Sequence, residues 1–213
     1  MNQLPAGDPV EPAVEPAEGA AVWDPLAPDQ VVPLLAKAGV QWWVTGGQAL
    51  DVFLGHSTRA HADLDVAVLR RDQQAFRRAL PGWDLVIRTD GGFAPWAADT
   101  EVPGDAYRIW ARETPSGPWR IEIVLEECEG ERWQFRGKRQ IGVSVADLGR
   151  RDERGVPYVR PEVVLLYKSK TASGTDETDL LTVLPKLDKA ARGWLFAALW
   201  TSQPGHRWLE RLK

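Results

Sequence analysis

The residues that could carry chemistry begin with two aspartates two positions apart, Asp63 and Asp65. Segment 62–69 alternates apolar and polar residues and predicts a strand, in which residues two apart share a face at roughly 7 Å between Cα atoms. Two bare carboxylates at short range repel by roughly 4 kcal/mol at an effective dielectric near 20, and a divalent cation such as Mg²⁺ offsets that repulsion. The alternative is an edge strand with a solvated acidic face.

A glycine pair precedes the aspartates. Segment 41–45 predicts a short buried strand, Gly46 and Gly47 interrupt it, and residues 48–54 predict a helix that Gly55 closes. Glycine lets the backbone approach a ligand closely, and the N-terminus of the following helix offers unpaired N–H groups to a phosphate. The alternative is a simple tight turn.

Arg59 and His61 continue the alternation of the aspartates if the strand starts early. Arg59 would then contact a phosphate, and His61 would hydrogen-bond a metal-bound carboxylate or the nucleotide. Alternatively, both residues cap the loop or offset the charge of the aspartates.

A third carboxylate is expected on the strand predicted over 119–126. Glu122 lies mid-strand, opposite an apolar face. If this strand lies beside 62–69, Glu122 joins the aspartates as a metal ligand or as a general base. The alternative is an exposed edge residue. The acids towards the strand end, Glu126, Glu127 and Glu129, are predicted to lie in solvent.

The remaining pattern predicts a mixed α/β part followed by helices, hence an α+β class with a C-terminal helical lobe. Further helices are predicted at 29–39, 72–80, 161–170, 176–187 and 189–200, and further strands at 83–88, 106–113, 132–136 and 140–143. Segment 89–105 is interpreted as a long acidic loop. The predicted organisation is a loosely attached tail at 1–22, a catalytic domain at 23–160 and a helical region at 161–213.

Together these motifs resemble the DNA polymerase β-like nucleotidyltransferase superfamily, in particular its small aminoglycoside and lincosamide branch. That branch has the form GG-x-x-x-D, a Gly, then Thr-Arg-x-His-x-Asp-hydrophobic-Asp. Residues 46–51, Gly55 and residues 58–65 reproduce it. The likeness extends over about residues 40–190 and is strongest at 44–66. It implies a nucleotidyltransferase-type mixed sheet flanked by helices.

The resemblance also implies a mechanism. Asp63 and Asp65, with Glu122, hold one or two Mg²⁺ ions, and Glu122 is the candidate general base. An NTP, expected to be ATP, is the co-substrate. The nucleotide-binding set is then Gly46, Gly47, Arg59, His61, Lys168 and Lys170. Relatives often carry basic residues where this chain has Ser173-Gly174-Thr175, a departure that bears on nucleotide affinity.

Composition bears on the acceptor. The chain has 213 residues, a formal net charge of -4 and a pI near 5.5, which suits a cationic small molecule better than nucleic acid. We therefore expect transfer of AMP to a hydroxyl of an aminoglycoside-like antibiotic. An acidic, Trp-bearing region would hold this acceptor, or else form a solvated loop: Trp96, Asp99, Glu101, Asp105 and Trp110.

Two other functions stay open. One is a toxin-type enzyme that acts on RNA, with a basic groove from Arg150, Arg151, Arg154 and Arg160, or from Arg132, Arg136, Lys138 and Arg139. The other is a non-catalytic nucleotide-binding relative. The single cysteine, the lack of a signal-peptide pattern and the lack of a spanning apolar run predict a cytoplasmic protein without membrane contact. The oligomeric state is left open.

Overall fold

The computed structural model describes residues 22–213. The predicted tail at 1–22 lies, apart from Val22, outside the described residues. Six α-helices are present in the described part: Pro28–Leu35 (α1), Gly46–Leu54 (α2), Gln73–Arg78 (α3), Pro161–Lys168 (α4), Gly174–Val183 (α5) and Lys189–Ser202 (α6). Short 3₁₀ helices occupy Arg70–Asp72, Val145–Asp147, Leu184–Lys186 and Arg207–Arg211.

The same residues form ten strands: Trp42–Thr45 (β1), Asp65–Leu69 (β2), Asp84–Thr89 (β3), Gly92–Pro95 (β4), Arg108–Arg112 (β5), Ile121–Glu129 (β6), Arg132–Phe135 (β7), Lys138–Ser144 (β8), Gly149–Arg151 (β9) and Pro157–Val159 (β10). Eight of them follow the order β4-β3-β5-β6-β2-β1-β10-β9. The other two extend the end of β6, since β7 pairs with β6 and β8 pairs with β7.

The sheet is mixed, because β2 runs parallel to β6 while its other neighbour, β1, is antiparallel. Val66, Ala67 and Val68 are fully buried in succession, so both faces of the sheet are covered at β2. The predicted mixed sheet with flanking helices is confirmed. Its centre is the β6–β2–β1 region, which carries the predicted acids and glycines.

The C-terminal helices pack on the part that contains the sheet. Helix α4 contacts α2, α5 and α6, and α2 also contacts β1 and β10. The buried apolar residues form one cluster that extends from Leu26 to Leu212. The predicted boundary between 23–160 and 161–213 therefore stays a prediction, which rests on the order of the elements along the chain. Within residues 22–213, no helix combines the length and the apolar character needed to cross a bilayer.

Several elements differ from the expectation. Helix α1 ends at Leu35 rather than at 39, the strand predicted over 119–126 spans Ile121–Glu129, and β9 and β10 were not predicted.

Three further differences bear on the site. The strand predicted over 62–69 begins at Asp65, so Asp63 lies in the segment that leads into it. Helix α2 includes both glycines rather than starting after them. It ends at Leu54, and Gly55 follows in the left-handed conformation as the predicted closing residue. The predicted loop 89–105 contains β4, because residues 92–95 turn back and pair with β3.

Candidate active site

Three carboxylates converge at the N-terminal ends of the two central parallel strands. Glu122 on β6 is the direct register partner of Asp65 on β2. Asp63, two residues before that point, turns its side chain to the same place. One oxygen of each carboxylate lies within 4.8 Å of the others. The structure thus brings together the three acids that the sequence singles out.

The protonation of this acid cluster depends on burial and mutual repulsion. Burial, the charge on Asp63 and the charge on Glu122 together raise the pKa of Asp65 to about 8. Burial and Glu122 also raise the pKa of Asp63. Within the described residues, Asp65 Oδ1 is buried and has no hydrogen-bond partner. Three convergent carboxylates, one of which has an unpaired buried oxygen, fit a hard divalent cation, which would offset the repulsion between them.

Glu122 is enclosed rather than exposed at an edge, with only 2% of its surface accessible. Arg108 Nη1 donates to Glu122 Oε2 at 2.7 Å, and Trp110 Nε1 donates to Oε1 at 3.2 Å. Burial opposes the charge on Arg108, but Glu122 outweighs it and raises the guanidinium pKa. Arg108 lies on the strand predicted over 106–113, but no sequence pattern marked it as a site residue. The missing information was the register, which sets Trp110 opposite Glu122.

The two glycines make room for side chains of this site. Gly46 has a φ of +64°, and a Cβ atom there would overlap the carboxylate of Asp65. A Cβ atom on Gly47 would overlap the guanidinium of Arg59 and lie 2.7 Å from His61 Nδ1. The glycine pair is therefore required by close approach of the chain's own residues, before any phosphate is considered.

Arg59 and His61 do not lie on an extended β2, yet both reach the glycine pair. His61 Nε2 hydrogen-bonds Asp51 Oδ2 at 2.6 Å. Burial opposes the charge of Asp51, but hydrogen bonds from Thr58 and His61 outweigh it and lower its pKa. Arg59 donates through Nε and Nη2 to the two oxygens of Asp179, at 3.1 and 3.2 Å. The Asp of the GG-x-x-x-D motif thus orients the histidine.

The two predicted phosphate-binding lysines have different surroundings. Lys168 Nζ lies 3.0 Å from Asp176 Oδ1 and 2.9 Å from Asp179 Oδ2, so two carboxylates hold it. Lys170 Nζ lies 4.8 Å from the centre of the Phe135 ring. Both lysines line a cavity of about 490 Å³, which the glycine pair, Arg59, His61, Asp63 and Asp65 also line. The nucleotide-binding set predicted from the sequence therefore borders one cavity.

The prediction that Glu126 lies in solvent is wrong. Glu126 is 4% exposed, and its Oε2 accepts hydrogen bonds from Trp133 Nε1 at 2.8 Å and from Tyr167 at 2.6 Å. The hairpin of β7 and β8 folds over the end of β6 and encloses it. Of the neighbouring acids, Glu127 pairs with Arg70 at 2.7 Å and Glu129 is exposed.

The acidic, Trp-bearing region does not form one surface. Trp96 is 2% exposed and belongs to the apolar core, so it is enclosed rather than available to an acceptor. Asp99 and Glu101 flank Thr100, whose carbonyl accepts a hydrogen bond from Gln74 of α3. Asp105 lines a second cavity together with Tyr107 and Arg108, which also line the first. Trp110 reaches the acid cluster through its hydrogen bond to Glu122.

Several arginines of the two predicted basic clusters are engaged within the chain. Arg154 pairs with Asp152, and Arg160 pairs with Glu162. Arg132 donates to the carbonyls of residues 139 and 140. Arg136 differs, because it lines the cavity of the acid cluster.

The chain is similar to known adenylyltransferases. A family model described as aminoglycoside-2''-adenylyltransferase matches residues 29–96, which include the glycine pair and the two aspartates. The solution structure of the antibiotic-resistance factor ANT(2'')-Ia superposes with a TM-score of 0.51 at 17% identity, over 81% of this chain and 88% of that one. This chain has a nucleotidyltransferase fold.

Two further solved structures match the chain with lower TM-scores. The crystal structure of ANT(2'')-Ia with adenylyl-2''-tobramycin has a TM-score of 0.45 at 16% identity, covering 85% of this chain and 90% of that one. The lincomycin-bound lincosamide antibiotic adenylyltransferase LnuA has a TM-score of 0.48 at 18% identity, covering 71% and 90%. A search of curated proteins gives no match. The family model, which is named for aminoglycoside adenylyl transfer, confirms over residues 29–96 the resemblance that the sequence motifs predict.

Proposed function

We propose that the protein is a metal-dependent nucleotidyltransferase that moves AMP from ATP to a hydroxyl group of a small, cationic acceptor and releases pyrophosphate. The observation that carries the proposal is the acid cluster of Asp63, Asp65 and Glu122, with its unpaired buried oxygen on Asp65. The glycine pair and the basic residues of the same cavity provide a place for the nucleotide phosphates beside that cluster.

Asp63, Asp65 and Glu122 are the residues that would hold Mg²⁺. When bound, the ion would stabilise the negative charge that develops on the phosphates during in-line displacement. Asp65 must lose its proton for this, and its raised pKa means that metal binding and proton release are linked.

Glu122 is the candidate general base. Arg108 and Trp110 hold its carboxylate in one orientation through one hydrogen bond to each oxygen. Each carboxylate oxygen has a second lone pair, so the fixed group can still accept the proton of an attacking hydroxyl. We place the acceptor in the neighbouring cavity, which is lined by Tyr107 and by Arg108, the hydrogen-bond partner of Glu122.

An antibiotic of the aminoglycoside type is the acceptor class that we favour. The family model that matches residues 29–96 is named for adenylyl transfer to the 2''-position of aminoglycosides. The formal net charge of -4 also favours a cationic acceptor over RNA.

Isothermal titration tests the nucleotide half of the proposal. Wild type, the double variant Asp63→Asn/Asp65→Asn and the control Asp99→Asn/Glu101→Gln are titrated with each NTP, with and without Mg²⁺. The control loses the same two charges at exposed positions. We expect Mg²⁺-dependent ATP binding by wild type and control only. Binding of no NTP by wild type would instead support a non-catalytic protein.

Pyrophosphate release then tests the acceptor. Aminoglycosides, lincosamides and RNA are offered in parallel with ATP and Mg²⁺. Release that depends on an aminoglycoside, and on Asp63 and Asp65, supports the proposal. Release that depends only on RNA would replace the small-molecule acceptor with a nucleic-acid one.

A further inference from the structure

The candidate general base is connected to a cluster of aromatic rings. Trp110 Nε1 donates to Glu122 Oε1 at 3.2 Å, and Arg108 binds the other oxygen. A buried carboxylate oxygen that loses its donor is costly to leave unpaired, so the side chain would turn to find another partner. The orientation of the Trp110 ring therefore decides where the carboxylate of Glu122 points.

Three aromatic rings surround the indole of Trp110. The ring centres of Trp23, Phe93 and Trp119 lie 5.1, 4.7 and 5.5 Å from its own. Edge-to-face and tilted contacts at roughly 4.5–7 Å are favourable between aromatic rings. Because Trp110 is only partly buried, these contacts restrict the rotation of its ring and keep its N–H aimed at the carboxylate.

The ring of Trp23 comes from segment 22–26, which precedes helix α1. This segment runs parallel to the residues directly before β6, where Trp23 and Trp119 form a bridge. The Trp119 N–H donates to the carbonyl of Val22 at 2.9 Å, and the Trp119 carbonyl accepts from the Asp24 N–H at 3.1 Å. Backbone hydrogen bonds thus hold the segment on either side of Trp23 and fix its ring against Trp110.

We propose that Trp23 is a positioning residue for the transfer reaction, which acts on Glu122 through Trp110. The inference rests on the proposed function, in which Glu122 takes the proton of the attacking hydroxyl. Trp23 lies one ring away from the carboxylate: it fixes the indole, and the indole N–H fixes the base. No sequence pattern marks Trp23, because its contact with Trp110 joins residues far apart in the chain.

Nuclear magnetic resonance tests the contact in the metal-free protein. The Trp110 indole N–H gives one ¹H–¹⁵N resonance, which Trp110→Phe identifies by its loss. The other proteins are wild type, Trp23→Ala, Trp23→Phe and the control Trp200→Ala, which removes an exposed tryptophan of α6. We expect Trp23→Ala to shift this resonance and to speed its exchange with D₂O about three- to tenfold. Trp23→Phe, which retains a ring, and Trp200→Ala should leave it as in wild type.

Kinetics test the consequence for the reaction. Pyrophosphate release is measured with ATP, Mg²⁺ and an aminoglycoside for the same proteins. The kcat of Trp23→Ala should fall about tenfold or more with little change in the KM for ATP, because a misplaced base slows the chemical step. Trp23→Phe should restore most of kcat, and Trp200→Ala should match wild type. The double variant Trp23→Ala/Trp110→Phe should be no slower than the slower single variant, since both changes act on the same carboxylate.

The outcomes separate the positioning role from the proposed function. An unchanged kcat in Trp23→Ala, or effects of the two tryptophans that multiply, would refute the role while the nucleotidyltransferase proposal stands. If wild type releases no pyrophosphate with any acceptor, the proposed function fails. The Trp110 resonance then decides the contact alone: a shift in Trp23→Ala supports it, and an unchanged resonance overturns it. If Trp23→Ala fails to fold, Trp23→Leu, which fills the space without a flat ring, replaces it in both measurements.

Discussion

Replacing Asp65 with Asn should stabilise the metal-free protein while removing its ability to bind Mg²⁺. The carboxyl group of Asp65 is buried between Asp63 and Glu122, and its pKa is raised from 3.8 to about 8. Asparagine has the same shape and no charge to desolvate. The site is thus built for a cation at the expense of the stability of the metal-free fold.

The sign of the effect follows from proton linkage. Between pH 4 and pH 8 the folded protein retains a proton on Asp65 that the unfolded chain has lost, so the free energy of unfolding falls as pH rises. Each unit of pKa difference corresponds to about 1.4 kcal/mol. At pH 7 the unfolded carboxyl group of residue 65 is about 3 pH units above its pKa, whereas the folded one is still protonated. The energetic penalty of burying Asp65 therefore has an upper bound on the order of 4 kcal/mol at this pH.

Thermal unfolding followed by tryptophan fluorescence measures the prediction. Wild type, Asp65→Asn and the exposed control Asp99→Asn are compared in EDTA at pH 5, 6, 7 and 8. The midpoint of Asp65→Asn should exceed that of wild type by an amount that grows with pH, up to about 10 °C at pH 7. Saturating Mg²⁺ should raise the midpoints of wild type and of Asp99→Asn but not that of Asp65→Asn, and so reduce the difference between Asp65→Asn and wild type.

A gap between Asp65→Asn and wild type that stays constant from pH 5 to pH 8 would refute the reasoning, since it would mean that Asp65 ionises equally in both states. A wild type that Mg²⁺ does not stabilise at pH 8 would refute the assignment of the acid cluster to a cation. Asp99→Asn should follow wild type throughout.

Two more substitutions probe the supports of the site. Gly46→Ala should lower the free energy of unfolding by about 1–3 kcal/mol and weaken Mg²⁺ binding, because the positive φ of Gly46 and the adjacent Asp65 carboxylate both disfavour a Cβ atom. Scanning calorimetry measures this change, with Gly104→Ala, which has open space around it, as the control. Asp179→Asn should cost about 2 kcal/mol in chemical denaturation and weaken ATP binding, because Arg59 and Lys168 lose their shared counter-ion; unchanged stability with unchanged ATP affinity would contradict this.

The sequence predicted the acid cluster because local patterns determine it. The alternation around Asp65 and Glu122 marks two strands, and a parallel pairing of those strands is sufficient to bring the acids together. The glycine pair was found for the same reason, although its physical role is different: it accommodates Asp65, Arg59 and His61.

The partners of these residues could not be predicted, because they depend on register and on packing between distant segments. Arg108 reaches Glu122 only because β5 pairs with β6 in one particular register. Glu126 is near the end of a predicted strand, where solvent exposure is the usual outcome, yet the β7–β8 hairpin and Tyr167 of α4 cover it. Both contacts join segments that are distant in the chain, so no local sequence pattern indicates them.

The departure at Ser173-Gly174-Thr175 has a structural reason. Ser173 is the N-cap of α5: its hydroxyl accepts a hydrogen bond from the Asp176 N–H, and the Asp176 carboxylate accepts one from the Ser173 N–H. Asp176 held in this way also binds Lys168. A basic side chain at 173 would remove the cap that positions Asp176, so the first turn of α5 orients Lys168 of α4 rather than supplying a cation of its own.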